Sequence, residues 1–387
     1  MDFTYPLEAE AFRSEFRAWL DEHLTDEIRA GARWSMELDP EGIAHLRRWN
    51  GILADARYAA IAWPEEWGGR GAGLMEQVVF AEEMHRAGAP GTLNPLGLSN
   101  IAPAIIEHGS EAQKRELLPR MLRGDDIWCQ GFSEPNAGSD LASLRTTAVR
   151  DGECWIVNGQ KTWNTLGHMA NWCELLVRTD PDAPKHKGIS CLLVDMTLPG
   201  VEVRPLVTIT GEVEFNEIFF TDVRVPVDQT LGPVNEGWRV AMTTLAYERG
   251  TVAKLHMGLR AKVGRLLELA RDTPGRNNAS AAADPVIRQK LARVYLEAEL
   301  LKLISDRAIS AELHGRAMGP EGSIAKLVWS EAEQHLTEVA SDVLGPDALS
   351  GSWARDRVYS RALTIAGGTT QVNKNILAQR ILGMPRA

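Results

Sequence analysis

Cysteine is scarce in this chain, and long apolar runs are missing from it. Four cysteines occur in 387 residues, at Cys129, Cys154, Cys173 and Cys191. No two are spaced as C-x-x-C, which leaves neither a disulfide framework nor a zinc-ligand pattern. The histidines His85, His108, His168 and His256 are scattered without ligand spacing, so no metal site is expected. No stretch approaches the ~20 consecutive apolar residues that span a bilayer, so no membrane segment is expected. Basic residues are in deficit: 42 Lys and Arg against 52 Asp and Glu give a net charge of −10. That balance argues against nucleic acid as the main partner. Met1-Asp2-Phe3-Thr4-Tyr5-Pro6 shows neither a basic stretch leading into an apolar one nor Arg enrichment, so no targeting signal is expected and a reduced, cytoplasmic protein is. There is no internal repeat. What remains is ordinary globular composition, 44% hydrophobic and 24% charged, in a chain long enough for two or three lobes.

Residues 1–126 read as helices. Phe12, Phe16, Trp19 and Leu20 recur at helical spacing and make one apolar face. Turn residues interrupt at Trp63-Pro64-Glu65-Glu66-Trp67-Gly68-Gly69, and helical spacing resumes with Val78, Val79 and Met84. From Thr146 to Pro226 the text alternates and favours β-branched and aromatic residues. Asp151-Gly152 between two strand-like runs predicts a hairpin. In Val213–Val225 the alternation changes phase between Phe215 and Ile218, which predicts a bulge or a strand buried on both faces. After Gly232 helical spacing returns through Leu259, Val263 and Leu266, then Leu291, Val294 and Ala298, then Leu336, Val339 and Val343. A helix–sheet–helix order with runs this long implies an α+β protein with a β-lobe between two helical ones.

Three segments carry more than periodicity requires. Phe132-Ser133-Glu134-Pro135-Asn136-Ala137-Gly138-Ser139-Asp140 packs hydroxyls and amides into a non-repetitive turn, suited to close approach of backbone to a ligand. Asn158-Gly159-Gln160-Lys161-Thr162-Trp163-Asn164-Thr165 sets a Trp among turn residues, a flat apolar surface for a planar heteroaromatic ligand or else a core Trp in a sheet. Ile365-Ala366-Gly367-Gly368-Thr369-Thr370-Gln371 is a Gly-rich turn opening the final helix, where free amides attract a phosphate or a polarised carbonyl.

Together, and in this order, these segments resemble the acyl-CoA dehydrogenase family. Phe132–Asp140 is similar to its signature, Asn158–Thr165 to its flavin-side strand, and Asn216–Pro226 to the end of its β-domain. Gly367-Gly368-Thr369 through Leu382-Gly383-Met384-Pro385-Arg386 resembles its C-terminal signature. The resemblance implies an N-terminal all-α domain (1–126), a central β-barrel or sandwich domain (127–231) and a C-terminal four-helix bundle (232–387). It implies FAD as cofactor and α,β-dehydrogenation of an acyl-CoA. In that reaction a carboxylate removes the Cα proton, the Cβ hydrogen leaves as hydride to flavin N5, and electrons pass to an electron-transfer flavoprotein.

Carried over by motif, Phe132 and Ser133 lie at the flavin's pyrimidine side, Trp163 covers one ring face, and Thr165 stands near N5. Thr369 and Gln371 match contacts to the adenosine part of FAD, and Ser139 and Arg249 match contacts to CoA. Many members carry the catalytic Glu just before the last helix, where this chain has Gly367. A minority carry it on the helix that opens the C-terminal domain, immediately before an Arg. Leu245-Ala246-Tyr247-Glu248-Arg249 fits that pattern, so Glu248 is the expected base, with the Gly367 N–H as a donor to the thioester oxygen. Glu134 is structural in the family. Two family features are altered: Ala270–Asn278 lacks the Arg-x-x-Phe-Gly turn, and Asp342-Val343-Leu344-Gly345-Pro346 replaces Gln-x-x-Gly-Gly. The FAD adenosine end is therefore held differently, or by a partner chain. A homo-oligomer, dimer or tetramer, is expected ahead of a heterotetramer. The alternative functions are a half-site or non-catalytic subunit and a flavin oxidase or monooxygenase on the same fold.

Overall fold

A computed structural model describes residues 4–31, 38–250, 255–275, 279–315, 319 and 322–385, with backbone alone at 248–250. The chain forms two compact units, Met1–Glu248 and Arg249–Ala387.

The first unit opens with helices α1 (Leu7–His23), α2 (Asp26–Gly31), α3 (Pro40–Asp55), α4 (Leu74–Ala87), α5 (Ala102–His108) and α6 (Glu111–Arg123). The apolar stripe of α1 is buried as its spacing predicts, with Phe12, Phe16 and Leu20 inside and Trp19 partly covered. Asp39 caps α3 and Ser110 caps α6, each accepting from a backbone N–H three residues on. The buried Glu83 of α4 stitches α4 to α1 by accepting from Arg13 at 3.1 Å and from Arg17 at 2.7 Å.

Eight strands follow: β1 (Trp128–Gly131), β2 (Thr147–Asp151), β3 (Cys154–Lys161), β4 (Trp172–Arg178), β5 (Ile189–Asp195), β6 (Val201–Val207), β7 (Val213–Pro226) and β8 (Thr230–Leu231). They make one mixed sheet in the order β6-β7-β3-β2-β4-β5-β8, with β1 pairing β4 in parallel. The β2–β3 hairpin turns through Gly152 at φ 59°, the first of the two residues between paired Asp151 and Cys154. A positive φ is needed there, and glycine adopts it without steric cost.

The phase change in β7 sits elsewhere than its apolar residues suggested. Glu214, Asn216, Ile218 and Phe220 point inward, whereas Val213 and Phe215 are only half-buried. Beyond Phe220 the inward set becomes Val223 and Val225, because Thr221 and Asp222 stand opposite the single residue Asn158. Asp222 takes φ 50°, and the bulge is sealed by Asn158 Nδ2 donating to Asp222 Oδ1 at 3.0 Å while Asp222 N–H donates to Asn158 Oδ1 at 2.9 Å. Pattern reading placed the shift too early because it counted apolar side chains, and two inward positions here are polar.

Strands β4 and β5 are buried on both faces. Cys173, Leu175, Val177, Leu192 and Val194 pack with Trp155, Val157, Ile218 and Val223 on one side. On the other side, Leu176, Ile189, Cys191 and Leu193 join the core of the N-terminal helices together with Val240 and Ala241 of α7 (Gly237–Gly250). Helix α7 thus packs on the sheet.

The second unit contains α8 (Leu255–Asp272), α9 (Pro285–Leu313), α10 (Gly322–Leu344), α11 (Gly351–Leu363) and α12 (Thr370–Ile376). The expected stripes of α8, α9 and α10 converge in one core: Leu259, Val263 and Leu266 meet Leu291, Val294 and Ala298, and both meet Leu336, Val339 and Val343. Trp353 of α11 packs against that core, giving the four-helix arrangement. Among the described residues no helix is long and apolar enough to cross a membrane.

Candidate active site

In the first unit the two sequence segments 132–140 and 158–165 meet. The first follows β1, the second runs from the end of β3 into the loop beyond it, and hydrogen bonds of several kinds lace the two together. Thr162 N–H donates to the Ser133 carbonyl at 2.9 Å. The amide of Asn164 donates to the Gln130 carbonyl at 2.7 Å, and the amide of Asn216 on β7 donates to the Asn164 carbonyl at 2.9 Å. Lys161 lies beneath the junction. It follows Trp155, Val157 and Gly159 in the period-two phase that faces the core, and it is fully buried. Its Nζ donates to the Phe132 carbonyl at 3.0 Å and to Glu134 Oε1 at 2.9 Å.

Glu134 also accepts from the backbone N–H of Arg145 at 2.7 Å and of Thr146 at 2.8 Å. Burial alone would raise its pKa, but the Lys161 charge and the Thr146 bonds prevail and hold the carboxyl below its usual range. Burial pulls the Lys161 ammonium down, and the Glu134 charge opposes that pull. Glu134 thus bonds the signature loop to Lys161 and to the backbone that leads into β2. Thr146 packs against Gly159, whose φ is 154° and where a Cβ would stand 2.7 Å from Thr146 Cα.

Phe132 is buried and Ser133 half-buried at the mouth of this junction. Trp163 is the opposite of a core residue. Its side chain is 61% exposed, its φ is 63°, and its ring meets Phe215 edge-on at 5.7 Å. Leu166, three residues on, has φ 61°, with half-buried Thr165 between. Two non-glycine residues in left-handed conformation so close together mark stored backbone strain, which concentrates at functional sites. Around them Asn164 Oδ1 and Asn216 Oδ1 are buried without a hydrogen-bond partner in the structure. Such atoms are costly unless an outside group satisfies them. A flat exposed indole beside orphaned polar atoms fits a planar, hydrogen-bonding heteroaromatic ring such as a flavin.

Ser139 is exposed at the far end of the same loop. There Asp140 accepts from Lys185 Nζ at 2.5 Å and from Ser143 Oγ at 2.6 Å, and Arg178 donates to the Ala142 carbonyl at 2.7 Å. These bonds dock the segment 183–188 on the loop. Lys185, and Ser143 after it, hold the Asp140 carboxyl below its ordinary value.

In the second unit Gly367 and Gly368 take φ 63° and 92°, so the turn before α12 needs glycine at both positions. Thr369 caps α12, its Oγ1 accepting from Val372 N–H at 3.1 Å. Gln371 is exposed on the first turn of that helix. The side chains of Glu248 and Arg249 lie outside the described residues; the backbone places both in the last turn of α7. Among the described residues no group of three His, Cys, Asp or Glu could hold a metal ion.

Family models for the N-terminal, middle and C-terminal domains of acyl-CoA dehydrogenase match residues 6–125, 129–223 and 235–382. The chain belongs to the acyl-CoA dehydrogenase family. It is an oxidoreductase of CH–CH groups in acyl-CoA, in a family that uses FAD. It is 41% identical over 389 residues to acyl-CoA dehydrogenase IpdE1 of Mycobacterium tuberculosis, covering 98% of each chain. Among solved structures, the Tcur3481-Tcur3483 steroid ACAD is similar with a TM-score of 0.86 at 30% identity, covering 100% of both chains. The ChsE4-ChsE5 complex from Mycobacterium tuberculosis is similar with a TM-score of 0.85 at 32% identity, again covering 100% of both.

For an acyl-CoA dehydrogenase, two residues here escaped the sequence reading. One is Lys161, whose phase with Trp155 and Val157 already marked it as an inward-facing charge in need of a partner. The other is Glu174 on β4, which is fully buried. It accepts from Thr244 Oγ1 of α7 at 2.7 Å and stands opposite Gln130 of β1, whose amide and the Thr244 hydroxyl favour the ionised form, but burial prevails and pushes its pKa up to about 8. Its signal was an acid inside the run Trp172-Cys173-Glu174-Leu175-Leu176, which reads as a strand with no solvent face.

Proposed function

We propose that this chain dehydrogenates a CoA thioester between Cα and Cβ, with FAD as resident cofactor and Glu248 as the base. A Cα proton beside a thioester is barely acidic. Its removal needs a carboxylate in a water-poor setting and donors aimed at the oxygen that gains charge. Glu248 takes the proton, and the Gly367 backbone N–H is one such donor. Bound FAD supplies the hydride acceptor at N5. Phe132, Ser133, Trp163 and Thr165 would hold the isoalloxazine, and Thr369 and Gln371 the adenosine end. Ser139 and Arg249 would hold the CoA chain. The observation that carries this reading is the exposed Trp163 beside orphaned polar atoms, in a chain whose family match runs through all three domains.

The substrate class we propose is a CoA thioester of a steroid-derived acid, because a structurally similar protein covering the whole chain is named a steroid ACAD. Electrons would leave through an electron-transfer flavoprotein. A homo-oligomer was the first expectation for the assembly. The likeness to the ChsE4-ChsE5 complex supports a second reading, pairing with another chain of the same family. Flavin bound per protomer, measured on the chain purified alone and after co-expression with such a partner, separates the two.

The test of the function is Glu248→Gln in the FAD-loaded protein, mixed with octanoyl-CoA, isobutyryl-CoA and a steroid-derived acyl-CoA. Wild type should bleach the flavin with at least one thioester, the steroid-derived one fastest, and the variant should keep FAD but not bleach. Equal bleaching by both proteins refutes the base assignment.

A further inference from the structure

We propose that Glu174 and Thr244 form a positioning pair for the last turn of α7, the turn in which Glu248 stands. This rests on the reading of Glu248 as base. Both partners are fully buried, and the bond between them joins strand β4 to helix α7 at 2.7 Å. Helix α7 is also hydrogen-bonded to α5, between Thr243 Oγ1 and His108 Nε2 at 2.8 Å, and its Val240 and Ala241 share a core with Leu176, Cys191 and Leu193. Apolar burial is strong but non-directional, so it presses a helix onto a sheet without fixing its rotation. A short bond from a helix residue to a strand residue is directional, and of the two bonds the one to Glu174 ties that rotation to the sheet.

Position 248 follows 244 by about one turn, or roughly 6 Å along the axis, so it shares the face that this bond orients. The Thr244 hydroxyl has a weaker alternative, the Val240 carbonyl of its own helix at 3.4 Å. The geometry therefore favours the strand over local back-bonding. An apolar residue at position 174 would fill the same space without burying an ionisable group, so a role in stability alone gives no reason for an acid. As a carboxyl with raised pKa it is neutral near pH 7, able to accept from Thr244 without placing a charge beneath the helix. The titratable neighbours that sense it are the thiols of Cys191, pushed up by burial, and of Cys173, pushed up first by its hydrogen bond with Cys129 and then by burial.

The experiment uses full-length, FAD-loaded Thr244→Val, Thr244→Ser and Glu174→Leu, with Glu248→Gln as reference. Two readouts are taken: flavin bleaching in a single turnover with the thioester that reduces wild type fastest, and amide hydrogen exchange across residues 240–250. Thr244→Val should bleach about tenfold more slowly with acyl-CoA affinity unchanged, as expected for a misplaced base, and should exchange faster in that segment. Thr244→Ser should restore both, and Glu174→Leu should reproduce the Val defects from the strand side if Thr244→Val cannot be isolated folded. Wild-type bleaching in Thr244→Val, with Glu248→Gln inactive, would show a merely structural bond and overturn the proposal. Should Glu248→Gln bleach normally, the base assignment is what fails. The pair is then judged on exchange alone, and unchanged exchange in Thr244→Val overturns it.

Discussion

Lys161 Nζ donates to the main-chain carbonyl of Phe132 at 3.0 Å, so a fully buried ammonium on the sheet holds the first residue of the signature loop. The bond ties two segments far apart in sequence into one wall, and Glu134 supplies the opposing charge. A loop pinned this way is pre-organised: little conformational entropy remains to be lost when a ligand arrives.

Replacing Lys161 with Met should therefore damage stability and flavin retention together. It leaves Glu134 buried without its countercharge, a defect of about 3–5 kcal/mol, and frees the Phe132 carbonyl. Urea unfolding of the apoprotein and flavin content after gel filtration both report it. Adding Glu134→Gln should recover part of the stability, because the uncompensated charge is then gone. A double variant as unstable as Lys161→Met would show that the loss comes from something other than that charge.

Trp163→Gly separates folding from binding. Trp163 is mostly exposed and sits at φ 63°, where glycine is at ease and an indole-bearing residue is not. The apoprotein should hold its stability or gain up to about 1 kcal/mol. FAD affinity should fall at least about tenfold through the lost stacking surface. Thermal melts of apoprotein and a flavin titration check the two halves. A destabilised apoprotein with unchanged FAD affinity would return Trp163 to a packing role.

Much of this is legible in the amino-acid sequence. The stripes on α1, α8, α9 and α10 and the Gly152 hairpin follow from periodicity, since each element buries one face. The two loop segments announced themselves by residues that neither period explains. What stayed hidden depended on partners distant in sequence. The bulge at Thr221–Asp222 is set by Asn158 across the ladder, and Glu214 and Asn216 point inward although their polarity argues the opposite. Lys161 and Glu174 are each a charge-bearing side chain in a core phase. Sequence shows the conflict, but only the fold shows what resolves it: Glu134 and the Phe132 carbonyl for one, Thr244 for the other.

Glu174 should leave a mark on the pH dependence of stability. Its pKa is raised in the folded protein to about 8, from an ordinary 4.5. Between those values the native state holds a proton that the unfolded chain has released. Stability should then fall as pH rises through that window, by about 1.4 kcal/mol per pH unit. Glu174→Gln cannot titrate, so its stability relative to wild type should climb from pH 5 towards pH 8. Parallel urea-unfolding series at pH 5, 6, 7 and 8 measure this directly, and a constant difference between the two proteins would mean that Glu174 is ionised in the fold.

Thr369 has two roles to separate, the cap it makes and the FAD contact proposed for it. Its hydroxyl oxygen accepts from Val372 N–H, and losing such a cap costs about 1 kcal/mol. Thr369→Val should show that loss in the apoprotein, whereas Thr369→Ser keeps an acceptor and should not. The proposed adenosine contact adds a different expectation. Thr369→Val should lower FAD affinity severalfold while leaving the affinity for riboflavin, which lacks the adenosine part, unchanged. Equal weakening for both flavins would trace the effect to a frayed α12, and no weakening for either would leave the hydroxyl as a cap alone.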